Sequence, residues 1–234
     1  MRILALIPAR GGSKRLPDKN VRKLGNKPLI NWTIDSAMSI PELSAIVVST
    51  DDPKIAEIAH CAGATVPWLR PIEFATDDAL SVDVAIHALD WFEAENGSVD
   101  GILLLQPTSP FRTKETIQTA ISLFNKYDGS SIIGVSPAKS YHLYKLEKYS
   151  EFLVPHKEHR FLSKKSQNTS QIYAENGSIY LISPKEIRLK KSFIGSCLIP
   201  VITDSPIEAL DIDTEWDFKI AEIFLRHKLN SESN

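Results

Sequence analysis

Continuous apolar runs that alternate with segments of helical periodicity are the feature that most restricts the fold of this chain. Three of the runs predict buried strands, at Ile3–Ala9, Ala45–Thr50 and Gly101–Leu105. Amphipathic spacing predicts helices at Pro28–Met38, Pro53–Ala62, Ser81–Glu95 and Lys114–Tyr127. Strands that are apolar throughout belong to sheets covered on both faces, and strands that alternate with helices are mostly parallel. We therefore expect an α/β fold with a mostly parallel sheet.

The pattern weakens between residues 138 and 172, where polar and aromatic residues mix. Strands are expected before this stretch at Ser130–Ser136 and after it at Gly177–Ile182, and a short strand is expected earlier at Thr65–Leu69. We interpret residues 138–172 as an excursion, a small antiparallel flap or arm, from a single domain spanning residues 1–234.

Composition excludes several classes of protein. The hydrophobic fraction of 43% and charged fraction of 24% are ordinary for a globular chain, and no apolar run is long enough to span a bilayer. The net charge of -2 gives no support for binding nucleic acid or a membrane surface. Two cysteines, Cys61 and Cys197, provide neither a disulfide framework nor a metal knuckle. A reducing cytoplasm is the simplest compartment.

Positive charge is concentrated where the first strand ends. Up to Lys27 there are eight basic side chains and one acid, a local charge of +7, so the rest of the chain carries -9. Gly11 and Gly12 would let backbone amides approach phosphate oxygens, and Arg10, Lys14 and Lys19 would neutralise a triphosphate. The alternative is a solvated basic loop.

Three other segments carry groups suited to a site, each with a structural alternative. Asp211 and Asp213, if they lie in a strand, point to one side and suit Mg²⁺; they are otherwise two exposed acids before a helix. Gln106–Arg112 offers a polar wall for a hydroxylated acid, or a turn followed by a helix that Thr113 caps. The loop from Arg70 to Ser81 could recognise a base, or Ser81 caps its helix.

The predicted topology brings these polar segments together. Ligands of open parallel sheets bind at the carboxyl ends of the strands. Four polar segments follow predicted strands, namely Arg10–Lys19, Ser49–Asp52, Gln106–Ser109 and Asp211–Asp213. We therefore expect them to meet at one edge of the sheet.

The same residues resemble the acylneuraminate cytidylyltransferases, or CMP-sialic acid synthetases, a family that includes enzymes for legionaminic and pseudaminic acids. The resemblance spans nearly the whole chain. It depends on an ordered set of motifs, Ile7–Lys14, Lys19–Asn20, Ser49–Asp51, Arg70–Pro71, Gln106–Pro110, Asn176–Tyr180 and Asp211–Glu215. Such a set is much more specific than any one motif.

The resemblance implies a three-layer, Rossmann-like nucleotidyltransferase fold that uses CTP with Mg²⁺ or Mn²⁺. The residues it places on the triphosphate are Arg10, Ser13, Lys14 and Lys19. Those it places around the cytidine are Asn20, Arg70, Ala79 and Ser81, and those facing the sugar are Gln106, Thr108 and Ser109. Asp211 and Asp213 would hold the metal, and the catalytic residues would be Lys19, Arg10 and Asp211. The family is typically a homodimer in which an arm of one subunit covers the other's site, and residues 138–172 are the candidate arm.

The resulting hypothesis is an enzyme that couples CTP to a nine-carbon nonulosonic acid and releases pyrophosphate. One alternative is a cytidylyltransferase for the eight-carbon Kdo, whose loop typically has Tyr where this chain has Gly11. Another is a nucleotide-binding regulator without catalysis, which retention of both Asp211 and Asp213 argues against. The chain departs from the family at Lys164–Gln167 and Ala174, near where the family receives the sugar.

Overall fold

A computed structural model describes residues 1–138, 144–146, 153–155 and 171–232. The chain divides into two compact units, Met1–Ser136 with Glu175–Asn234, and Pro137–Ala174. The strands are β1 (Ile3–Pro8), β2 (Lys23–Leu24), β3 (Lys27–Pro28), β4 (Leu43–Ser49), β5 (Gly101–Leu104), β6 (Ser131–Ala138), β7 (Tyr144–Leu146), β8 (Leu153–Pro155), β9 (Ile172–Ile182) and β10 (Leu198–Ile202). The helices are α1 (Leu29–Met38), α2 (Pro53–Cys61), α3 (Ser81–Asn96), α4 (Lys114–Lys126), α5 (Pro184–Lys190) and α6 (Glu215–Glu232), with a 3-10 turn at Ile72–Phe74.

Six strands form the central sheet in the order β10-β6-β9-β5-β1-β4. The pairs β1–β4, β1–β5 and β10–β6 are parallel, whereas β9 runs antiparallel to β5. The predicted α/β fold with a mostly parallel sheet is confirmed. None of the described helices combines the length and the apolar character needed to cross a membrane.

Strand β1 shows why the sheet is covered on both faces. Ile3, Ala5 and Ile7 pack in one buried cluster with apolar residues of α1, α2 and α4, and Leu4 and Leu6 pack in another with residues of α3 and α5. All five are fully buried. Since alternate strand residues point to opposite faces, a strand buried on both faces must be apolar at every position.

A third, smaller cluster joins the two ends of the chain. Leu16, from the basic loop, and Ile212, between the two aspartates, are buried with Phe218 of α6. Thr214 and Asp217 form a reciprocal cap at the start of α6, because the Asp217 carboxylate accepts from the Thr214 backbone N–H at 2.7 Å and the Thr214 hydroxyl accepts from the Asp217 N–H at 3.3 Å. These contacts carry the acidic segment to the carboxyl end of β1.

Several local predictions were wrong. Thr65–Leu69 makes only isolated bridges, with Thr65 opposite Val47 and Leu69 opposite Thr50, and Pro67 between them has no N–H for a ladder. Asp211–Asp213 is a loop rather than a strand. The helix α5 and the edge strand β10 were not predicted, since both are short and β10 contains Pro200.

The predicted excursion falls largely outside the described residues. Within residues 138–172, β7 and β8 pair antiparallel, with Tyr144 opposite Pro155. The segment Lys164–Gln167 lies outside the part that the structure describes. A role of this unit in dimerisation stays a prediction.

Candidate active site

A cavity of about 660 Å³ lies beyond the carboxyl ends of β1 and β5, within the roughly 300–1,000 Å³ range of small-molecule sites. It is lined by Pro8, Arg10, Ser13, Lys14, Arg15, Lys19, Asn20, Arg70, Phe74, Thr76, Asp77, Ala79, Ser81, Val84, Gln106, Pro107, Thr108 and Asp213. Residues about two hundred positions apart in the sequence, such as Pro8 and Asp213, therefore line the same cavity. Of the residues predicted for the site, Ser109 and Asp211 do not line this cavity.

The basic loop after β1 is anchored by neighbouring side chains. The Gly11 N–H donates to the Asp51 carboxylate at 3.0 Å, and the Asn20 amide donates to the Arg10 carbonyl at 3.0 Å. A Cβ at Gly11 would lie 2.8 Å from a carboxylate oxygen of Asp52, so this close approach requires glycine. The expectation that the Gly11 amide faces phosphate is wrong, because Asp51 accepts it.

Two of the cations assigned to the triphosphate are paired with a single acid across the cavity. Arg10 Nη1 lies 3.0 Å from an Asp77 carboxylate oxygen and 3.0 Å from the Thr76 carbonyl, and Lys14 Nζ contacts the other Asp77 oxygen. The hydrogen bond from Lys14 holds the pKa of Asp77 below its usual range. The groups are partly exposed, so an incoming polyanion can compete with Asp77 for both cations.

Lys19 and Arg15 meet the acidic segment directly. Lys19 Nζ lies 2.9 Å from Asp213 Oδ1 and donates to the Ile212 carbonyl at 3.0 Å, and Arg15 Nη1 lies 2.8 Å from Asp213 Oδ2. The Lys19 side chain is 13% exposed, against 74% for Arg15. The N-terminal cations and the C-terminal carboxylates are thus on the same side of the molecule.

The two carboxylates suit a hard cation. Burial raises the pKa of Asp211, and the nearby charge of Asp213 raises it further, although part of the residue reaches solvent. The neighbouring Thr108 side chain acts in the opposite direction and lowers the pKa of Asp211. A divalent cation would relieve the repulsion between the acids, and the donors are oxygens, which Mg²⁺ and Mn²⁺ prefer. Among the described residues no cluster of three His, Cys, Asp or Glu side chains is present, so the remaining ligands would come from water and substrate.

Arg70 supports the loop assigned to the cytidine. Its Nε donates to the Ser49 hydroxyl at 2.9 Å and its Nη1 donates to the Phe74 carbonyl at 3.3 Å. Burial lowers the pKa of Arg70 to about 10, so the guanidinium stays protonated at neutral pH. Ser81 is the first residue of α3, whose cap is Leu80 without a side-chain hydrogen bond. The alternative in which Ser81 caps its helix is therefore wrong, and Ser81 lines the cavity with Ala79.

The residues assigned to the sugar follow β5. Gln106 and Thr108 line the cavity, with the Thr108 hydroxyl 3.5 Å from Gln106 Oε1. Ser109 is 1% exposed, and its hydroxyl has no hydrogen-bond partner within the part of the chain that the structure describes. Thr113 caps α4 by accepting from the Thr116 N–H. Contact of Gln106, Thr108 and Ser109 with a sugar stays a prediction.

Sequence reasoning missed several residues of the cavity wall. Phe74, Asp77 and Val84 line it, and Arg15 pairs with Asp213. Asp77 lies in the segment that was expected to recognise a base, but its pairing with Arg10 and Lys14 has no sequence signal. Phe74 and Val84 have no signal either, because the sequence does not distinguish an apolar residue that lines a cavity from one in the core.

Comparison with known proteins gives consistent matches. Residues 4–229 match the family described as cytidylyltransferase. The chain is 41% identical to a CMP-N,N'-diacetyllegionaminic acid synthase of Legionella pneumophila, covering 100% of this chain and 99% of that protein. It is 34% identical to an N-acylneuraminate cytidylyltransferase of Escherichia coli O18:K1:H7, over 99% of this chain and 54% of that longer protein. A solved CMP:2-keto-3-deoxy-manno-octonic acid synthetase in complex with CTP is similar in fold, with a TM-score of 0.70, 15% identity and coverage of 97% and 100%.

Proposed function

The chain belongs to the cytidylyltransferase family, and on that premise we propose that it transfers CMP from CTP to a nine-carbon nonulosonic acid, with release of pyrophosphate. The observation that carries the proposal is the meeting of Arg10, Lys14 and Lys19 with Asp213 around one cavity. Full-length similarity to a CMP-N,N'-diacetyllegionaminic acid synthase supports that acid as the first substrate to test.

The chemistry is a substitution at phosphorus. A sugar hydroxyl oxygen forms a bond to the α-phosphorus of CTP, and the bond from that phosphorus to the oxygen bridging it to the β-phosphate breaks. Pyrophosphate leaves with the bridging oxygen, and the hydroxyl proton passes to water. Such a transfer depends on positioning and on neutralising charge more than on a protein nucleophile. Arg10, Lys14 and Lys19 supply positive charge along the triphosphate, and Arg70 holds the loop behind the base. Gln106 and Thr108 orient the acid sugar from the opposite wall.

Asp211 and Asp213 would hold Mg²⁺ or Mn²⁺ in this account. The ion, when bound, supplies positive charge to the triphosphate. Asp213 is shared between Lys19 and Arg15 in the structure, and all three residues line the cavity. Lys19 therefore has two partners available, the Asp213 carboxylate before CTP binds and a phosphate oxygen afterwards.

A homodimer and a cytoplasmic location are part of the same proposal. The typical assembly of the family supports the first, with residues 138–172 as the arm. The supply of CTP in the cytoplasm supports the second. The two described cysteines are both free and exposed, which suits a reducing compartment.

A substrate panel tests the proposal. Pyrophosphate release from CTP is measured with N,N'-diacetyllegionaminic, pseudaminic, N-acetylneuraminic and Kdo acids in the presence of Mg²⁺. We expect release that depends on a nonulosonic acid and is fastest with the diacetyllegionaminic form. Release with Kdo alone would make the chain a Kdo cytidylyltransferase, and CTP binding without turnover of any acid would make it a regulator; either result contradicts the proposal.

A further inference from the structure

A buried arginine lies directly behind the wall assigned to the sugar. Arg112 is 3% exposed. Its Nη2 donates to the Gln106 carbonyl at 2.9 Å, and its Nε donates to the Ser178 carbonyl in β9. Burial lowers the pKa of Arg112 to about 9, which leaves the guanidinium charged at neutral pH. One positive charge thus joins the loop after β5 to the neighbouring strand.

This charge is costly where it lies. Arg112 Nη1 is buried without a hydrogen-bond partner among the described residues, and the acid whose negative charge favours the guanidinium is Glu208. Glu208 is itself engaged at the start of α4, where it accepts from the Thr113 N–H at 3.2 Å and from the Thr116 hydroxyl. Burying a charged group costs free energy unless the group is paired and fully hydrogen-bonded. Stability alone therefore does not account for an arginine here.

One of the two carbonyls that Arg112 binds, that of Gln106, is the backbone of the wall assigned to the sugar. The Gln106 carbonyl also accepts a hydrogen bond from the Thr33 hydroxyl of α1 at 3.4 Å, so two donors fix its position. With that carbonyl held, the direction in which the Gln106 side chain leaves the backbone is restricted, and Gln106 and Thr108 both line the cavity. Pro107 between them stiffens the turn further.

We propose that Arg112 is a positioning residue that sets Gln106 and Thr108 for the acid sugar without touching it. The inference rests on the proposed function and adds a residue to it. The residues assigned to CTP lie on other segments of the cavity wall, within Arg10–Asn20 and Arg70–Ser81. Loss of Arg112 therefore impairs use of the acid sugar and spares the binding of CTP.

The test compares Arg112→Met, close in volume and uncharged, with the wild-type enzyme and with Arg2→Met. Arg2 is a control for the loss of guanidinium–carbonyl hydrogen bonds at an exposed position, because its guanidinium donates to two backbone carbonyls, Ser98 at 2.8 Å and Asn96 at 2.9 Å. It precedes β1, at the end of that strand away from the cavity. Measured quantities are the KM for the acid sugar, kcat, and the Kd for CTP by calorimetry without sugar.

For Arg112→Met we expect the KM for the acid sugar to rise at least about 10-fold, with the Kd for CTP within about 2-fold of wild type. Arg2→Met should leave both constants near wild type. An unchanged KM in Arg112→Met, or equal weakening of CTP, would overturn the inference. Should Arg112→Met fail to fold, Arg112→Lys, which keeps the charge, must fold and show the raised KM; if neither variant folds, the role is structural only. If wild-type enzyme turns over no acid sugar, the proposed function falls, and this inference with it.

Discussion

Burial of Ile212 fixes the position of the two aspartates that flank it. Its side chain is fully buried with Leu16 and Phe218, and it lies between Asp211 and Asp213. Its backbone N–H donates to the Thr108 carbonyl at 2.8 Å. Replacing Ile212 with alanine should therefore destabilise the fold and also loosen the acidic segment against the basic loop.

The cost can be worked out from burial. Ile212→Ala removes three buried carbons, roughly 2.4 kcal/mol at about 0.8 kcal/mol each. A cavity that collapses only partly brings the loss in free energy of unfolding into the range of about 2–5 kcal/mol. Domains are stable by roughly 5–15 kcal/mol, so most of the variant should stay folded.

Ile3→Ala is the matched control. Ile3 is also fully buried, so the stability loss should be similar, but it lies at the start of β1, roughly 16 Å along the strand from Pro8 at the cavity. The assays are urea unfolding and kcat/KM with Mg²⁺ and CTP at a temperature where both variants are folded.

We expect Ile212→Ala to lose at least about 10-fold in kcat/KM, since misplacement by about 1 Å can cost about 100-fold. Ile3→Ala should lose less than about 2-fold at a comparable stability loss. Equal activity in the two variants would refute the reasoning, because it would mean that the small cluster around Phe218 does not position the aspartates.

Three further predictions concern single side chains. Lys19→Met should lower kcat by roughly 10²–10³, a loss typical of removing one charge-stabilising group, with little change in the urea midpoint; near-wild-type turnover would count against its role. Asp77→Asn frees Arg10 and Lys14, so the Kd for CTP should fall by roughly 2- to 5-fold in calorimetry, and a weaker affinity would mean that Asp77 positions the cations instead. Burial lowers the pKa of His87, against the opposing charges of Asp90 and Glu73, so the unfolded chain takes up the proton first and the free energy of unfolding falls as pH drops below about 6.5. His87→Phe should flatten this fall between about pH 7.5 and 5.5. Parallel curves of unfolding free energy against pH for the variant and the wild type would contradict it.

The sheet and most helices were predictable because burial on both faces leaves a direct record in the sequence. Every residue of Ile3–Ile7 is buried, and the predicted and observed strands nearly coincide. The elements that were missed, α5 and β10, are short and partly exposed, so little apolar periodicity marks them. Asp211–Asp213 lies in a loop, although the alternation of acid and isoleucine left a strand open as one interpretation.

The site was predictable where charge or backbone chemistry marks it and not elsewhere. The basic loop and the paired aspartates could be found because clustered like charges are costly without a partner. The pairing of Asp77 with Arg10 and Lys14 depends on how two loops face each other, which no local pattern records. Arg112 has an ordinary place in the sequence, after a turn, and only the fold shows that its guanidinium is buried.

A crystal structure of the enzyme with CTP and Mg²⁺ would test the central claim most directly. We expect triphosphate oxygens in contact with Arg10, Lys14 and Lys19, and a metal ion bound by Asp211 and Asp213 on the same nucleotide. A triphosphate bound away from the loop after β1, or a metal ion held by other residues, would contradict it.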